Sequence, residues 1–398
     1  MIAIPLGRAW LLIGLLFAAT ALSFLDRQVL SVLAPQITAD FHMTNEDYSH
    51  VLFAFGLSYT VMFSVGGRLM DAVGTRLGLA LSVLVWSIAS GLHALAGGAA
   101  GLGAARFFLG VGEGACFPAV TKGAVEWMPV ERRALAVGLA NGGSAFGAVL
   151  APPLTAWVAT VFGWRSAFVC TAVLGFIWLA AWLTACRALP AHIANTGPRV
   201  SLLAMFKRPE MRRLLIARFL FDPVFYLYMF WIPQYLSRER GMSLTAIGAL
   251  TWIPFFALGI TNIAAGSISD WLVARGWTPR SARLRLMLFA ALLTPASGFA
   301  VFAGTPALAI ALMTVLMFAH GIWIANFITL IADTVAPSEV GTAVGLTGTC
   351  GGVAGMLSTL VVGPVVDRYS FTPVFLASAV VYPMAWLVLA FRNRSTAA

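Results

Sequence analysis

Gly67-Arg68-Leu69-Met70-Asp71-Ala72-Val73-Gly74-Thr75-Arg76 is a short charged stretch set between two apolar runs, 47–67 and 77–97. Working outward from it, apolar runs of about twenty residues recur in both directions, each long enough to cross roughly 30 Å of hydrocarbon. The predicted spans are 9–33, 47–67, 77–97, 101–124, 134–158, 164–187, 211–236, 244–267, 284–303, 306–330, 339–363 and 372–391. The first run, Trp10 to Leu25, is read as a retained helix and not a leader, because no small-residue cleavage site and soluble stretch follow it.

The charged stretch has an echo. Gly266-Ser267-Ile268-Ser269-Asp270 follows the eighth span, and Arg275 stands to Asp270 as Arg76 does to Asp71. Ala136-Val137-Gly138-Leu139 returns as Ala343-Val344-Gly345-Leu346. Between the halves, residues 188–210 hold Pro190, Asn195, Gly197, Pro198, Lys207 and Arg208, which is linker chemistry. The expected organisation is an N-terminal six-helix bundle over 1–187, a linker over 188–210 and a second six-helix bundle over 211–398. Two such repeats imply a binding site at their interface, near the bilayer midplane.

Composition supports the membrane reading. Of 398 residues, 60% are hydrophobic and 10% charged, where a soluble chain carries about a quarter charged. The net charge of +10 is not a nucleic-acid signal, because the basic residues sit in the loops. With the N-terminus inside, one face holds the basic residues from Arg8 and Arg68 to Arg392 and Arg394, and the other keeps only Arg165, Arg238, Arg240 and Arg368. That bias places both termini in the cytoplasm. Cys116, Cys170, Cys186 and Cys350 lie in or beside apolar runs with no CxxC, so burial is expected. No metal site, cofactor loop or catalytic nucleophile is evident, and none is expected.

The opening stretch resembles the cytoplasmic loop signature of the major facilitator superfamily, G-x-L-x-D-x-x-G-x-R, at every defined position, while the second copy departs from it at Ile268. A narrower resemblance is to the anion:cation symporter family and its hexuronate-transporter branch. It rests on Phe24-Leu25-Asp26-Arg27-Gln28-Val29-Leu30-Ser31, on Arg106-Phe107-Phe108-Leu109-Gly110-Val111-Gly112-Glu113 with Phe117-Pro118, on Arg218-Phe219-Leu220-Phe221-Asp222-Pro223 running to Phe230-Trp231-Ile232-Pro233, and on His320-Gly321-Ile322-Trp323-Ile324-Ala325-Asn326. Cys116 stands where that branch often carries Asn, and Gly142-Gly143-Ser144-Ala145-Phe146 where it often reads Ser-Gly-Ser-Asn-Val. The resemblance implies an all-α membrane protein of twelve transmembrane helices in two pseudo-symmetric bundles. It also implies a proton-coupled importer of a small organic anion such as a sugar acid, acting as a monomer in the inner membrane.

Charges inside spans are the informative residues, since each costs a few kcal/mol to insert and faces a cavity or a partner. Asp26 and Arg27, Arg106 and Glu113, and Arg218 with Asp222 are such residues. Neighbours on a helix point about 100° apart, so Asp26 and Arg27 need partners on other helices, with Arg106 expected to serve Asp26 or Glu113. Arg27 is the expected anion ligand, because a guanidinium meets a carboxylate with two parallel hydrogen bonds. Asp26, Glu113 and Asp222 are the proton-coupling candidates. Arg218 and Asp222, four apart, share a face and suit either an intrahelical pair or a functional role.

Tyr59, Arg106, Ser144, Arg218, Tyr226, Trp323 and Asn326 complete the expected substrate ligands, with Tyr59 and Asn326 placed in the cavity by the resemblance. His320 reads as structural. Gly67, Asp71, Gly74, Arg76, Arg133 and Asp270 are expected to act as conformational gates at the cytoplasmic ends of helices. Gly110, Gly112, Gly114, Gly138, Gly142, Gly143 and Gly147 are expected at close helix contacts. Competing readings are weaker. An exporter of amphiphiles needs a more apolar cavity than three intramembrane arginines allow. A membrane sensor needs a signalling domain, and a membrane enzyme needs a catalytic pair at one face.

Overall fold

The computed structural model describes residues 5–129, 132–187, 201–336 and 339–391, without the side chains of Gly67, Arg68, Asp71 and Ala134. The side chains of the expected gates Gly67 and Asp71, and residues 188–200 of the expected linker, therefore lie outside the described residues. What is described is helical throughout. Eleven segments among the described residues are long and apolar enough to cross a membrane. The fourth crossing is made by two shorter helices in series, α4 (Ala99–Glu113) and α5 (Cys116–Trp127).

That break corrects the expectation of one continuous span over 101–124. Pro118 has no N–H to give the carbonyl of Gly114, four residues earlier, and its ring crowds that carbonyl; the chain turns at Gly114 and Ala115. The eighth span is likewise split into α10 (Leu244–Leu250) and α11 (Trp252–Ala274), with Pro254 four residues after Leu250. The ninth runs as α12 (Pro279–Leu293) into a 3-10 segment, Thr294–Phe302, that opens on Pro295. There Thr294 Oγ1 donates at 2.9 Å to the Ala291 carbonyl that Pro295 leaves unserved.

The remaining helices are α1 (Leu6–Asp40), α2 (Asn45–Val73), α3 (Thr75–His93), α6 (Arg133–Phe162), α7 (Trp164–Ala185), the short α8 (Leu202–Lys207), α9 (Pro209–Arg238), α13 (Pro306–Thr334), α14 (Val340–Arg368) and α15 (Thr372–Ala390). Contacts divide the chain into two units, Met1–Gly197 with Met229–Trp252, and Pro198–Tyr228 with Ile253–Ala398. In the first, α1 packs chiefly on α6, and α4 sits between α2 and α3. In the second, α12, α13, α15 and the 3-10 segment pack together. Side chains such as Leu95, Ile263 and Leu292, 80%, 77% and 69% exposed, form an apolar exterior that suits lipid and not water.

Close helix approach is built on glycine where the structure needs it. A Cβ on Gly110 of α4 would collide with Ser58 Oγ and the backbone of Phe55 and Tyr59 on α2. Gly143 and Gly147 press likewise on the Phe17 and Ala21 carbonyls of α1. Gly138 and Gly142 have open space around the Cβ position, so the close contacts expected there are absent; these two lie on a face of α6 turned away from α1.

Proline also exposes carbonyls that α1 serves. Pro152 in α6 cannot donate to Ala148, whose oxygen accepts instead from Gln28 Nε2 at 3.3 Å. Pro233 in α9 cannot donate to Met229, whose oxygen accepts from Ser31 Oγ at 2.8 Å. An unserved backbone carbonyl in hydrocarbon costs several kcal/mol, so these bonds allow the prolines to stand inside the spans.

Candidate functional site

Asp26 and Arg27 sit on α1, 2% and 4% exposed, and point to different helices. Arg27 Nε donates to Glu113 Oε2 on α4 at 2.5 Å. Ser23 Oγ, one turn earlier on α1, donates to the same oxygen at 3.1 Å and accepts from Arg27 Nη2 at 3.3 Å. The guanidinium lies 4.2 Å from the ring centroid of Tyr59, 4.8 Å from Phe24 and 5.5 Å from Phe55. Three aromatic faces favour a cation and exclude water, so the ion pair is both enclosed and strong.

Asp26 turns to α3 and α7. Its Oδ1 accepts from Ser90 Oγ at 2.8 Å, and Ser90 Oγ lies 2.7 Å from Thr171 Oγ1. Arg106, fully buried on α4, hydrogen-bonds neither carboxylate; its Nη2 donates to the carbonyl of Arg27 at 3.0 Å. Arg106 thus faces the two carboxylates as a nearby charge and not as a hydrogen-bond donor. Glu113 lies closer to α1 and is taken by Arg27, while Arg106 anchors to the α1 backbone beside it. Tyr59 is buried and stacks on Phe55 at 5.4 Å. Ser144 turns back on its own helix, donating to Asn141 O at 2.8 Å.

The second unit carries its own cluster. Arg218 Nε donates to Asp222 Oδ2 at 2.6 Å within α9, the intrahelical alternative of the sequence reading. Gly351 of α14 lies under this pair, where a Cβ would collide with the Asp222 carboxylate, and Gly355 lies under the Tyr226 ring. Trp323 is fully buried, edge-on to Tyr382 at 5.2 Å and to Phe221 at 5.5 Å. Asn326, one turn on, donates to Ile322 O at 2.9 Å. His320 Nδ1 lies 2.5 Å from Tyr382 Oη and its ring stacks on Phe225 at 5.0 Å, a packed structural arrangement.

Gly74 makes the turn between α2 and α3 at φ 82°, a backbone setting that favours glycine. Arg76 is exposed, and its carbonyl accepts from Trp182 Nε1 at 3.0 Å. Arg133 Nε donates to Met128 O at 3.2 Å. Asp270 pairs at 3.0 Å with Arg283 of α12, which also approaches Asp333 at 3.5 Å and hydrogen-bonds Ser269. Arg283 and Asp333 were not expected; as charges at span ends they read in sequence only as loop charge. Ser23, Ser90 and Thr171 gave no signal, because a hydroxyl in an apolar run usually bonds its own helix. Cys170 is exposed on α7, a correction to the expected burial: it falls on the outward face of that helix.

Outside the spans, Arg208 grips Glu339 with two hydrogen bonds of 2.6 and 2.7 Å. These bonds hold the Glu339 carboxyl below its ordinary range and fix the short helix α8 near the start of α14.

Residues 16–359 match the family model described as Major Facilitator Superfamily. The hexuronate transporter of Escherichia coli strain K12 is 30% identical over 406 residues, covering 96% of this chain and 93% of that protein. The galacturonate transporter of Dickeya chrysanthemi is 30% identical, covering 65% of this chain and 81% of its own. The D-galactonate transporter of Escherichia coli strain CFT073 is 26% identical, covering 97% and 96%. Among solved structures, a bacterial homolog to the human lysosomal transporter Spinster, inward-facing and occupied, matches with TM-score 0.75 at 17% identity over 95% of this chain and 94% of that one. That last likeness concerns the fold. These proteins are membrane transporters and not enzymes.

Proposed function

This chain belongs to the major facilitator superfamily, and we propose that it is a proton-coupled symporter importing a small organic anion of the sugar-acid class, a hexuronate or an aldonate, by alternating access. The observation that carries this reading is the enclosed Arg27–Glu113 ion pair. A substrate carboxylate offers Arg27 the same chemistry that Glu113 does and competes for the same N–H groups. Once displaced, Glu113 is a buried carboxylate without its counter-charge, and taking up a proton is the low-energy way out. Anion binding and proton uptake are thereby linked. The named substrates of the relatives support the substrate class.

In this reading Arg27, Tyr59, Arg106 and Ser144 from one half, and Arg218, Tyr226, Trp323 and Asn326 from the other, contact the substrate. Asp26, Glu113 and Asp222 carry protons. Gly67, Asp71, Gly74, Arg76, Arg133 and Asp270 serve the change of conformation. The functional halves are 1–187 and 211–398, joined by 188–210, with both termini in the cytoplasm and the monomer as the working unit.

The test uses purified protein in proteoliposomes. Counterflow of D-galacturonate at equal pH is expected, with accumulation when the outside is made acidic and loss of accumulation on adding a protonophore. No counterflow with any hexuronate or aldonate would remove the substrate assignment, and counterflow without a pH response would remove the coupling.

A further inference from the structure

Among the enclosed polar atoms of the first unit that have no hydrogen-bond partner among the described residues, five belong to Asp26, His93 and the two charged residues of α4: Asp26 Oδ2, His93 Nε2, Arg106 Nε and Nη1, and Glu113 Oε1. Their residues are 0–2% exposed. The set is complementary, with two donor nitrogens on Arg106 and acceptors on the other three residues. Complementarity requires a lone pair on His93 Nε2, and the local geometry supplies it. His93 Nδ1 lies 2.7 Å from the carbonyl oxygen of Ala89. A carbonyl only accepts, so Nδ1 holds the ring proton and Nε2 is the acceptor.

The ring is also fixed in place. It stacks on Phe168 with centroids 4.8 Å apart and planes 6° apart. One turn earlier on α3, Ser90 holds Asp26 Oδ1. Arg106 stands on α4, which packs against α3, and its own anchor is the Arg27 carbonyl. His93 belongs to none of the motifs in the sequence and has no part in the transport scheme above.

We propose that His93 is a positioning residue of the transport site: its Nε2 lone pair accepts from Arg106 through one bridging water, and holds that guanidinium back from Asp26 and Glu113. The proposal rests on the proton-coupling reading. The titratable and charged groups around Arg106 and the two carboxylates are Asp26 and Arg27 from α1, Tyr48 and Tyr59 from α2, His93 from α3, Arg106 and Glu113 from α4, and Cys116 from α5. The α7 neighbour, Thr171, is neutral. Released from His93, Arg106 turns to the free oxygens of Asp26 and Glu113, and a carboxylate beside a guanidinium is harder to protonate. Proton-driven uptake then needs a more acidic medium.

Two variants separate positioning from packing. His93→Phe keeps the stack on Phe168 and removes the lone pair; His93→Gln gives up the ring and keeps an acceptor near the Nε2 position. D-galacturonate uptake is measured over a pH series in proteoliposomes. In His93→Phe the pH of half-maximal uptake is expected to fall by about one unit, and in His93→Gln to stay near that of the parent protein. An unchanged profile in His93→Phe, or the same shift in both variants, overturns the proposal. A second readout is independent of coupling and of the variants' folding: nitrogen NMR of protein labelled at histidine. The His93 ring is expected to stay neutral with its proton on Nδ1 at neutral pH, and a proton on Nε2 overturns the proposal. If uptake by the parent protein shows no pH response, the coupling reading fails by itself, and the shift of the unprotonated Nε2, displaced upfield when its lone pair accepts a hydrogen bond and unshifted when it does not, still decides the contact.

Discussion

Arg27 Nε and Glu113 Oε2 stand 2.5 Å apart inside a ring of aromatic faces, so the arginine proposed to bind the anion is already engaged by the protein's own carboxylate. The pairing has two consequences that differ in kind, one for affinity and one for coupling.

Arg27→Lys keeps the positive charge and loses the planar pair of donors. Binding of D-galacturonate, followed by calorimetry, is expected to weaken at least about tenfold, or ~1.4 kcal/mol, with the elution profile of the folded protein unchanged. Near-normal affinity would mean that another group receives the carboxylate.

Glu113→Gln keeps the shape and polarity of a neutral acid. The variant is expected to exchange labelled substrate across the membrane at equal pH but to lose accumulation driven by a pH gradient. Retained accumulation would move the coupling role to Asp26 or Asp222.

Gly351→Ala places a methyl group against Asp222 and the Arg218 guanidinium. Overpacking of this kind costs about 1–3 kcal/mol, and here it also spreads the ion pair. Thermal unfolding of the variant in detergent is expected at lower temperature. The effect should be smaller when Asp222 is already Asn, because both changes act on one contact. Strict additivity would show that Gly351 acts elsewhere.

The Arg208–Glu339 pair predicts a pH signature. Glu339 is held below its usual value, so the pair's contribution is fully present above the unfolded carboxylate's pKa, about 4.3, and is lost as pH falls through the lower folded value. Glu339→Gln is expected to lower the melting temperature slightly at neutral pH, with the difference vanishing in acid. A difference that persists in acid would assign the effect to packing of α8.

The crossings were legible because apolar runs of membrane length cannot be mistaken for much else, and the charges inside them stood out for the same reason. Helix geometry alone sent Asp26 and Arg27 to different neighbours, as they are found. What it left open was which neighbour. Whether Arg27 or Arg106 meets Glu113 depends on how α1 and α4 are rotated about their axes, and a periodic pattern does not set that angle. The breaks at Gly114 and Thr251 had a signal in Pro118 and Pro254, four and three residues further on. Ser23, Ser90 and Thr171 had none: Thr347, which bonds the Ala343 carbonyl of its own helix, looks the same in sequence as Thr171, which reaches Ser90 on another.

The two carbonyls served by α1 bear on how this chain can change over generations. Gln28 supplies the Ala148 carbonyl with the hydrogen that Pro152 withholds. Alanine at 152 would close the helix bond and release position 28; alanine at 28 alone would strand the carbonyl. The same holds for Ser31 and Pro233. Each pair is expected to behave epistatically, with loss of the proline first the less costly order. Among relatives the two positions of each pair should vary together, and Gln28, although it lies next to Arg27, need not track the substrate.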